Sequence, residues 1–396
     1  KRGISIHDIA QSFYFGFNVG ATFFIEIAKL RAARQVWSNI MKAFGAEEED
    51  RSMKIHAKPA FFTKTIFDVG VNMLRNTTEA FSAVVGGVDT YENAPYDDTV
   101  RKGDEFSRRI ARNLQIMLQE EFGMLRPIDA AGGSWAIEKL TKEMAEKIWA
   151  EFQKIESLGG MTKAIKEGYP QKEIKAVLEK RFKALDLRKD RAVGNNMYPL
   201  MGEVLLEARP EDTEAIKKEL GDAAKAYRAD LDLAFRSQKL AELKDAGEGE
   251  AIDKAAVAAA AGATIGEINE VAGNAEGSVA IEKIDAHRWT ERFEALRFDT
   301  EAYKEKTGKN VEIFLANMGK IPQHKARADF STSFLQVGEF NVHLNNGFQD
   351  DEDKPGSRWD KCVEALKAGA DDKGTPYDVA VICSTDATYP EDVPAL

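Results

Sequence analysis

Cysteine is nearly absent from this chain. Two thiols, Cys362 and Cys383, in 396 residues exclude a disulfide framework and fit a reducing, cytoplasmic setting. An excess of positive charge is also missing: 55 Lys and Arg stand against 66 Asp and Glu, for a formal net charge of −11. Nucleic acid needs a basic face to neutralise its phosphates, so it is not an expected partner. The same sign argues against an anionic membrane surface. Long apolar runs are lacking too. The most apolar N-terminal stretch, SFYFGFNVGATFFIEIAKL at 12–30, is interrupted by Asn18, Glu26 and Lys29 and cannot supply a membrane span. No secretory signal pattern and no fixed-period repeat is visible. There is no initiator Met, and YPEDVPAL closes the chain in mid-pattern, so both ends are expected to be cut from a longer polypeptide.

What is present suffices for a sizeable core: 43% of residues are hydrophobic, over a length that predicts two or three domains. Phe23, Ile27, Leu30, Trp37, Met41 and Phe44 recur at helical spacing, and Gly45 is a plausible stop. SMKIHAKPA has strand character. A helix at 66–85, a short strand GGVDTYENA, a helix at 106–122, a strand plus loop MLRPIDAAGGS and a helix at 138–158 follow. Such alternation implies parallel strands with helical crossovers, in an open sheet or a barrel.

From 160 to 300 the sequence is helical and highly charged, with helices expected at 211–247 and 250–272 and a break at VGNNMYPLMGE. From 309 the α/β pattern returns. NVEIFLANM, FNVHLN and YDVAVICST read as strands, separated by helices at 328–337 and in RWDKCVEALKAG. In open sheets of this kind ligands bind past the carboxyl ends of the strands. GKIPQHKARADF at 319–330 is expected to be a loop at the first of those ends, which makes His324 a candidate contact.

Several ordered stretches, FFIEIAKLRAARQVW, FSRRIARNLQIMLQEE, DAAGGSWAIEKLT, IESLGGMTKAI and RFEALR, together resemble the methylmalonyl-CoA mutase family from about residue 12 onward. The resemblance implies an α/β chain in three parts. Residues 1–158 would be the C-terminal part of an acyl-CoA-binding TIM barrel. Residues 159–305 would be a helical linker. Residues 306–396 would be an incomplete, flavodoxin-like domain of the cobalamin-binding type.

The family contains catalytic chains and small, non-catalytic partners. Cobalamin-binding members resemble one another in an Asp-x-His-x-x-Gly motif whose His holds cobalt, with an acidic partner fixing its tautomer. This chain keeps Met318 and Gly319, then reads Lys320, Ile321, Pro322, Gln323, His324, Lys325, Ala326, Arg327. Pro322 stands where the Asp belongs, and Lys325 and Arg327 would oppose a cationic centre. Gly319, Gln323 and His324 therefore read as a degenerate cobalamin loop, with His324 not expected to ligate cobalt. The barrel loops depart in the same direction. Where catalytic members resemble Arg-Thr-His-x-Gln-Thr-Ser-Gly, this chain has Lys54, Ile55, His56, Ala57, Lys58, Pro59, Ala60 and Phe61. Their His-Thr-Asn corresponds to Tyr91, Glu92, Asn93. Their Asp-Pro-x-x-Gly-Ser is better matched by Asp129, Ala130, Ala131, Gly132, Gly133, Ser134, where the glycines serve a tight turn.

The resemblance thus implies the small subunit of a heterodimeric methylmalonyl-CoA mutase, an isomerase of propionate metabolism. Its large partner would bind adenosylcobalamin, the source of the radical, and interconvert (R)-methylmalonyl-CoA and succinyl-CoA. No catalytic or metal residue is expected here; the alternative is an active acyl-CoA mutase chain binding cobalamin atypically. The remaining candidates have plain explanations. His56 reads as a satisfied core histidine. His7, His287 and His343 are isolated, without metal-ligand spacing. Cys362 and Cys383 read as buried structural thiols, EEED at 47–50 as a solvated loop, and Asp97 and Asp98 as a surface turn.

Overall fold

The computed structural model describes residues 3–209, 212–247, 249–273 and 279–396. Lys1 and Arg2 of the opening stretch, and Glu211 at the start of an expected helical segment, lie outside the described residues. Helix α1 (Ile6–Ser12) leads into strand β1 (Phe15–Val19), which occupies the apolar run at 12–30 and is not predicted by the sequence reading. Helix α2 (Phe23–Ala43) follows and buries Ile27, Leu30, Val36 and Met41. It stops where Gly45 turns to φ +87°, a conformation glycine adopts without strain. Strand β2 (Ile55–Pro59), helix α3 (Val71–Val85), strand β3 (Thr90–Tyr91), and helices α4 (Glu105–Glu120) and α5 (Trp135–Ser157) continue the alternation. Helix α3 starts later than expected, because residues 66–70 form turns around Asp68 at φ 47°.

The expected strand in MLRPIDAAGGS is absent; the segment is a series of turns. Pro127 cannot donate to a ladder, and Asp129 turns back at φ 52°. The three strands that do form are parallel, in the order β1-β2-β3. Their register aligns Gly16 with His56, Asn18 with Lys58, and His56 with Thr90. Ile55, Ala57 and Pro59 are buried, whereas His56 and Lys58 alternate onto the opposite face. Val19, Ala57 and Ala83 form the core between sheet and helices, with Phe17, Val88 and Tyr91 against it.

Helices α6 (Met161–Lys166) and α7 (Tyr169–Asp186) precede the expected break, whose Asn195 and Asn196 are fully buried. Residues 209–282 form a compact unit of their own. It contains α8 (Thr213–Ala229), α9 (Leu233–Lys244), α10 (Ala251–Ala260) and α11 (Ile265–Ala272). Thr264 and Glu267 cap α11 reciprocally.

Residues 283–396 belong with 1–208 in the other unit. Helix α12 (Glu291–Thr307) leads to strand β4 (Glu312–Asn317), helix α13 (Ile321–Leu335), strand β5 (Asn341–His343), helix α14 (Ser357–Ala368), strand β6 (Val379–Cys383) and helix α15 (Tyr389–Ala395). This sheet is also parallel, in the order β5-β4-β6. The central strand is apolar on both faces. Ile313 and Leu315 pack with Ala328 and Cys383, while Phe314, Ala316 and Met318 pack with Cys362.

Helix α13 corrects the sequence reading. GKIPQHKARADF is not a loop: all of it beyond Lys320 is helix. Pro322 is tolerated in the first turn, where its missing N–H is no loss. The Gln323 side-chain oxygen accepts the Lys320 backbone N–H at 2.7 Å, which caps the start.

Candidate functional site

The switch point of the C-terminal sheet lies past the carboxyl end of β4, between its two neighbours. Gly319 stands there at φ +83°, and its N–H donates to the Phe348 carbonyl at 2.7 Å. A Cβ on Gly319 would come within 2.3 Å of Gln323 Oε1, so the glycine makes room for the cap. Both residues are thus engaged in starting α13.

His324 is the third predicted position. It is only 4% exposed, and its Nδ1 has no hydrogen-bond partner. Gly347, in the segment after β5, lies directly over the ring: a Cβ there would be 2.3 Å from His324 Cε1. The ring is sealed under backbone. The neighbouring cations are neutralised rather than presented to a ligand. Lys325 pairs with Asp329 at 3.1 Å. Arg327 reaches across to β6, donating to the Ser384 carbonyl and, at 2.6 Å, to Asp386, with its guanidinium over Tyr389. Ser384 Oγ donates to the Met318 carbonyl at 3.2 Å, and the Thr388 hydroxyl donates to Ser384 Oγ at 2.6 Å. These residues do not fit a corrinoid: the one imidazole is buried, lacks a carboxylate partner, and faces Gly347.

The N-terminal sheet is arranged differently. His56 is not a core residue; its side chain is 43% exposed. Its Nδ1 hydrogen-bonds Thr90 Oγ1 at 2.8 Å, and Glu92 lies 4.0 Å from Nε2. The period of β2 puts His56 beside Gly16 and Thr90, on the face away from the helices. Asn93 Nδ2 donates to the Ala111 carbonyl at 3.1 Å, a link between loop and helix. Tyr91 is pulled into the core, and burial pushes its phenol well above the usual range. Asp129 accepts both Nε and Nη2 of Arg31, at 2.8 and 2.9 Å, and Arg31 also donates to Glu138 and Thr141. Gly132 and Gly133 belong to that turn: Gly132 donates to the Asp129 carbonyl at 2.8 Å, and Gly133 stands at φ +80°.

Two expectations for acidic residues need correction. Asp50, the last residue of EEED, is buried and pairs with His7 at 2.9 Å. Asp97 is fully buried and binds Arg101 at 2.7 Å, while Asp98 is exposed. His287 and His343 each pair with a carboxylate, Glu291 and Glu312 respectively. Among the described residues no group of three or more His, Cys, Asp or Glu could hold a metal ion. Cys362 and Cys383 are buried, and burial pushes the Cys362 thiol up to about 11.

Sequence reasoning missed the strongest buried charges. Arg297, the last residue of RFEALR, is 0% exposed. It reaches Glu203 at 3.4 Å and Glu339 at 3.3 Å, with Phe67 under its guanidinium at 4.0 Å. It thereby joins the break after α7 to the turn before β5. Glu294, in the same motif, accepts the Ile66 N–H at 3.0 Å and pairs with Arg288. Lys64 and Glu79 form a second buried pair, in which burial opposes the charged form of each. RFEALR was a visible signal for the first hub. Nothing in the spacing of Lys64 and Glu79 announces the second.

Comparison with known proteins adds the decisive observation. The family model described as methylmalonyl-CoA mutase matches residues 1–278. The chain belongs to the methylmalonyl-CoA mutase family. A methylmalonyl-CoA mutase of Cereibacter sphaeroides is 33% identical over 384 residues, covering 92% of this chain and 53% of the relative. The methylmalonyl-CoA mutase small subunit of Porphyromonas gingivalis is 31% identical over 395 residues, 99% of this chain and 52% of that protein. The large subunit from the same organism is 29% identical over 363 residues, 89% of this chain and 50% of that protein. The chain spans about half the length of the curated relatives it matches. No helix among the described residues is long and apolar enough to cross a membrane.

Proposed function

We propose that this chain is the corresponding part of the small, non-catalytic subunit of a heterodimeric methylmalonyl-CoA mutase. Residues 1–158 are then the C-terminal part of its TIM barrel, 159–305 its helical linker, and 306–396 a flavodoxin-like domain that no longer takes up cobalamin. The chain pairs in the cytoplasm with a large subunit that binds adenosylcobalamin and acyl-CoA. That subunit interconverts (R)-methylmalonyl-CoA and succinyl-CoA for propionate metabolism.

One observation carries this reading. The histidine in the first turns of the helix that follows β4, His324, lies sealed under Gly347 with Pro322 in place of an acidic partner. Cobalt ligation needs an accessible imidazole whose other nitrogen is oriented by an acceptor. The match to a small-subunit relative over nearly the whole chain supports the same assignment.

The test is direct. The chain is mixed with hydroxocobalamin and desalted, and the visible spectrum of the protein fraction is recorded. A protein peak without corrin bands is expected. Retained corrin with a histidine-coordinated spectrum, lost in His324→Ala, would overturn the reading. It would favour instead an active mutase chain that binds cobalamin atypically, for which the exposed His56 is the residue to examine next.

A further inference from the structure

A cleft of about 430 Å³ opens at the carboxyl ends of β1 and β2, far in sequence from His324. Arg181, Lys189 and Arg191 line it, together with Thr22, Phe62 and Trp289. We propose that this cleft binds a small phosphate-bearing anion.

Charge is the first argument. The chain as a whole carries −11, yet three cations converge here with a single carboxylate, Asp190, on the cleft wall. None of the three makes an ion pair or a side-chain hydrogen bond among the described residues; Arg181 only covers the Phe62 ring, at 4.8 Å. Arg188, their neighbour in sequence, is directed elsewhere, onto Ser333 and the rings of Phe330 and Phe334. Elsewhere in the chain buried or half-buried arginines such as Arg31, Arg101, Arg297 and Arg358 are paired with carboxylates. Unpaired cations gathered at one cleft are what an anion would neutralise, and guanidinium forks match phosphate oxygens two at a time.

Geometry is the second argument. Thr22 is the N-cap of the 21-residue helix α2, and its hydroxyl makes no capping bond. The N-terminus of α2 therefore presents unsatisfied donors and the positive end of its dipole to the cleft. Glu26 in that first turn is paired with Lys29 and leaves the cap free. Trp289 is fixed beside the cleft by its backbone N–H, which donates to the Phe62 carbonyl at 2.8 Å. Its indole Nε1 is buried and has no acceptor. A buried donor without a partner is uncommon, and the residue that carries it forms part of the cleft wall. The position, past the strand ends of a parallel sheet, is where such folds place ligands. The volume suits a diphosphate or a sugar phosphate.

The experiment is a calorimetric titration of this chain, at low salt, with inorganic diphosphate and, separately, with succinate. One equivalent of diphosphate is expected to bind with a Kd of about 1 mM or tighter, and more tightly than succinate. Arg181→Gln/Arg191→Gln, at two exposed positions that leave the core intact, should weaken binding by about tenfold or more. Absence of saturable diphosphate binding, equal binding of succinate, or binding unchanged in the arginine double variant would each overturn the proposal. The result is independent of the corrin test, because neither His324 nor its surroundings contribute to this cleft.

Discussion

The two parallel sheets of this protein end in opposite ways. At the carboxyl end of β4 the polar side chains are tied up by neighbours in the fold. Gln323 caps its own helix, Arg327 ties α13 to the segment after β6, and His324 lies beneath Gly347. At the carboxyl ends of β1 and β2, by contrast, Arg181, Lys189 and Arg191 have no ion-pair partner among the described residues, and along the strand face His56 remains half exposed. The difference teaches that residue type alone does not make a site. A histidine in roughly the right place of a ligand-binding fold is closed off by a glycine that follows the next strand. Unremarkable surface cations on α7 and the break after it gather at an open cleft.

Arg297 joins the segments that carry these two ends, and its removal should have the largest effect. Arg297→Met leaves the buried carboxylates of Glu203 and Glu339 without their shared cation. Breaking a buried pair from one side typically costs 3–5 kcal/mol; the contacts here are long, so about 3 kcal/mol is expected in urea unfolding. The triple variant Arg297→Met/Glu203→Gln/Glu339→Gln should recover most of that loss, because no bare charge remains. If Arg297→Met unfolds at the parent midpoint, the two ends are energetically independent and the comparison between them loses its common frame.

The second prediction breaks the seal. Gly347→Ala places a Cβ 2.3 Å from His324 Cε1 and 2.6 Å from the Gly319 carbonyl, at φ +90°. Overpacking of this kind costs about 1–3 kcal/mol. Adding His324→Ala should return part of it by clearing the contact. A neutral Gly347→Ala would mean that the ring already moves freely and the crevice is open.

The third is smaller. Arg327→Gln removes the link from α13 to Asp386 and the Ser384 carbonyl, both in the segment after β6. Because Arg327 is partly exposed, a loss of about 1 kcal/mol is expected, measured by thermal unfolding. Amide exchange in residues 384–388 should quicken in the same variant, while exchange in β2 should not change.

Much of this fold was legible in the sequence, and the failures have common causes. Helices α2, α4 and α5 were marked by apolar periodicity, and the central strand β4 by its apolar run. Strand β1 was hidden because its Phe15, Phe17 and Val19 lie in one apolar stretch with the residues that open α2. The start of α13 was misread because a glycine, a proline and several charges look like a loop, although Pro322 and Gln323 are also what a helix start uses. The departure from the cobalamin motif was legible at Pro322. The seal was not, since Gly347 is 23 positions away from His324 and its role depends on pairing in space. The buried Asp50, Asp97, Lys64 and Glu79 were missed for the same reason. Charged residues are buried only when paired, and the partner's identity lies outside any local window.

The smallest prediction concerns one such pairing. His7, on α1, is held to Asp50 at 2.9 Å, and the hydrogen bond and charge of Asp50 raise its pKa above 6.5. A group whose folded pKa is raised contributes fully below its unfolded value and loses that contribution as pH rises through its folded value. Attachment of α1 should therefore weaken as pH climbs above 6.5, without loss of the rest of the fold. Following the His7 ring proton by NMR should give a midpoint above 6.5 that falls in Asp50→Asn, with amide exchange in α1 quickening over the same interval. A midpoint unmoved by Asp50→Asn would show that this exposed imidazole is held by water rather than by its partner. Position beside a buried carboxylate would then not be enough to make a histidine part of the fold, just as position at a strand end was not enough to make His324 part of a site.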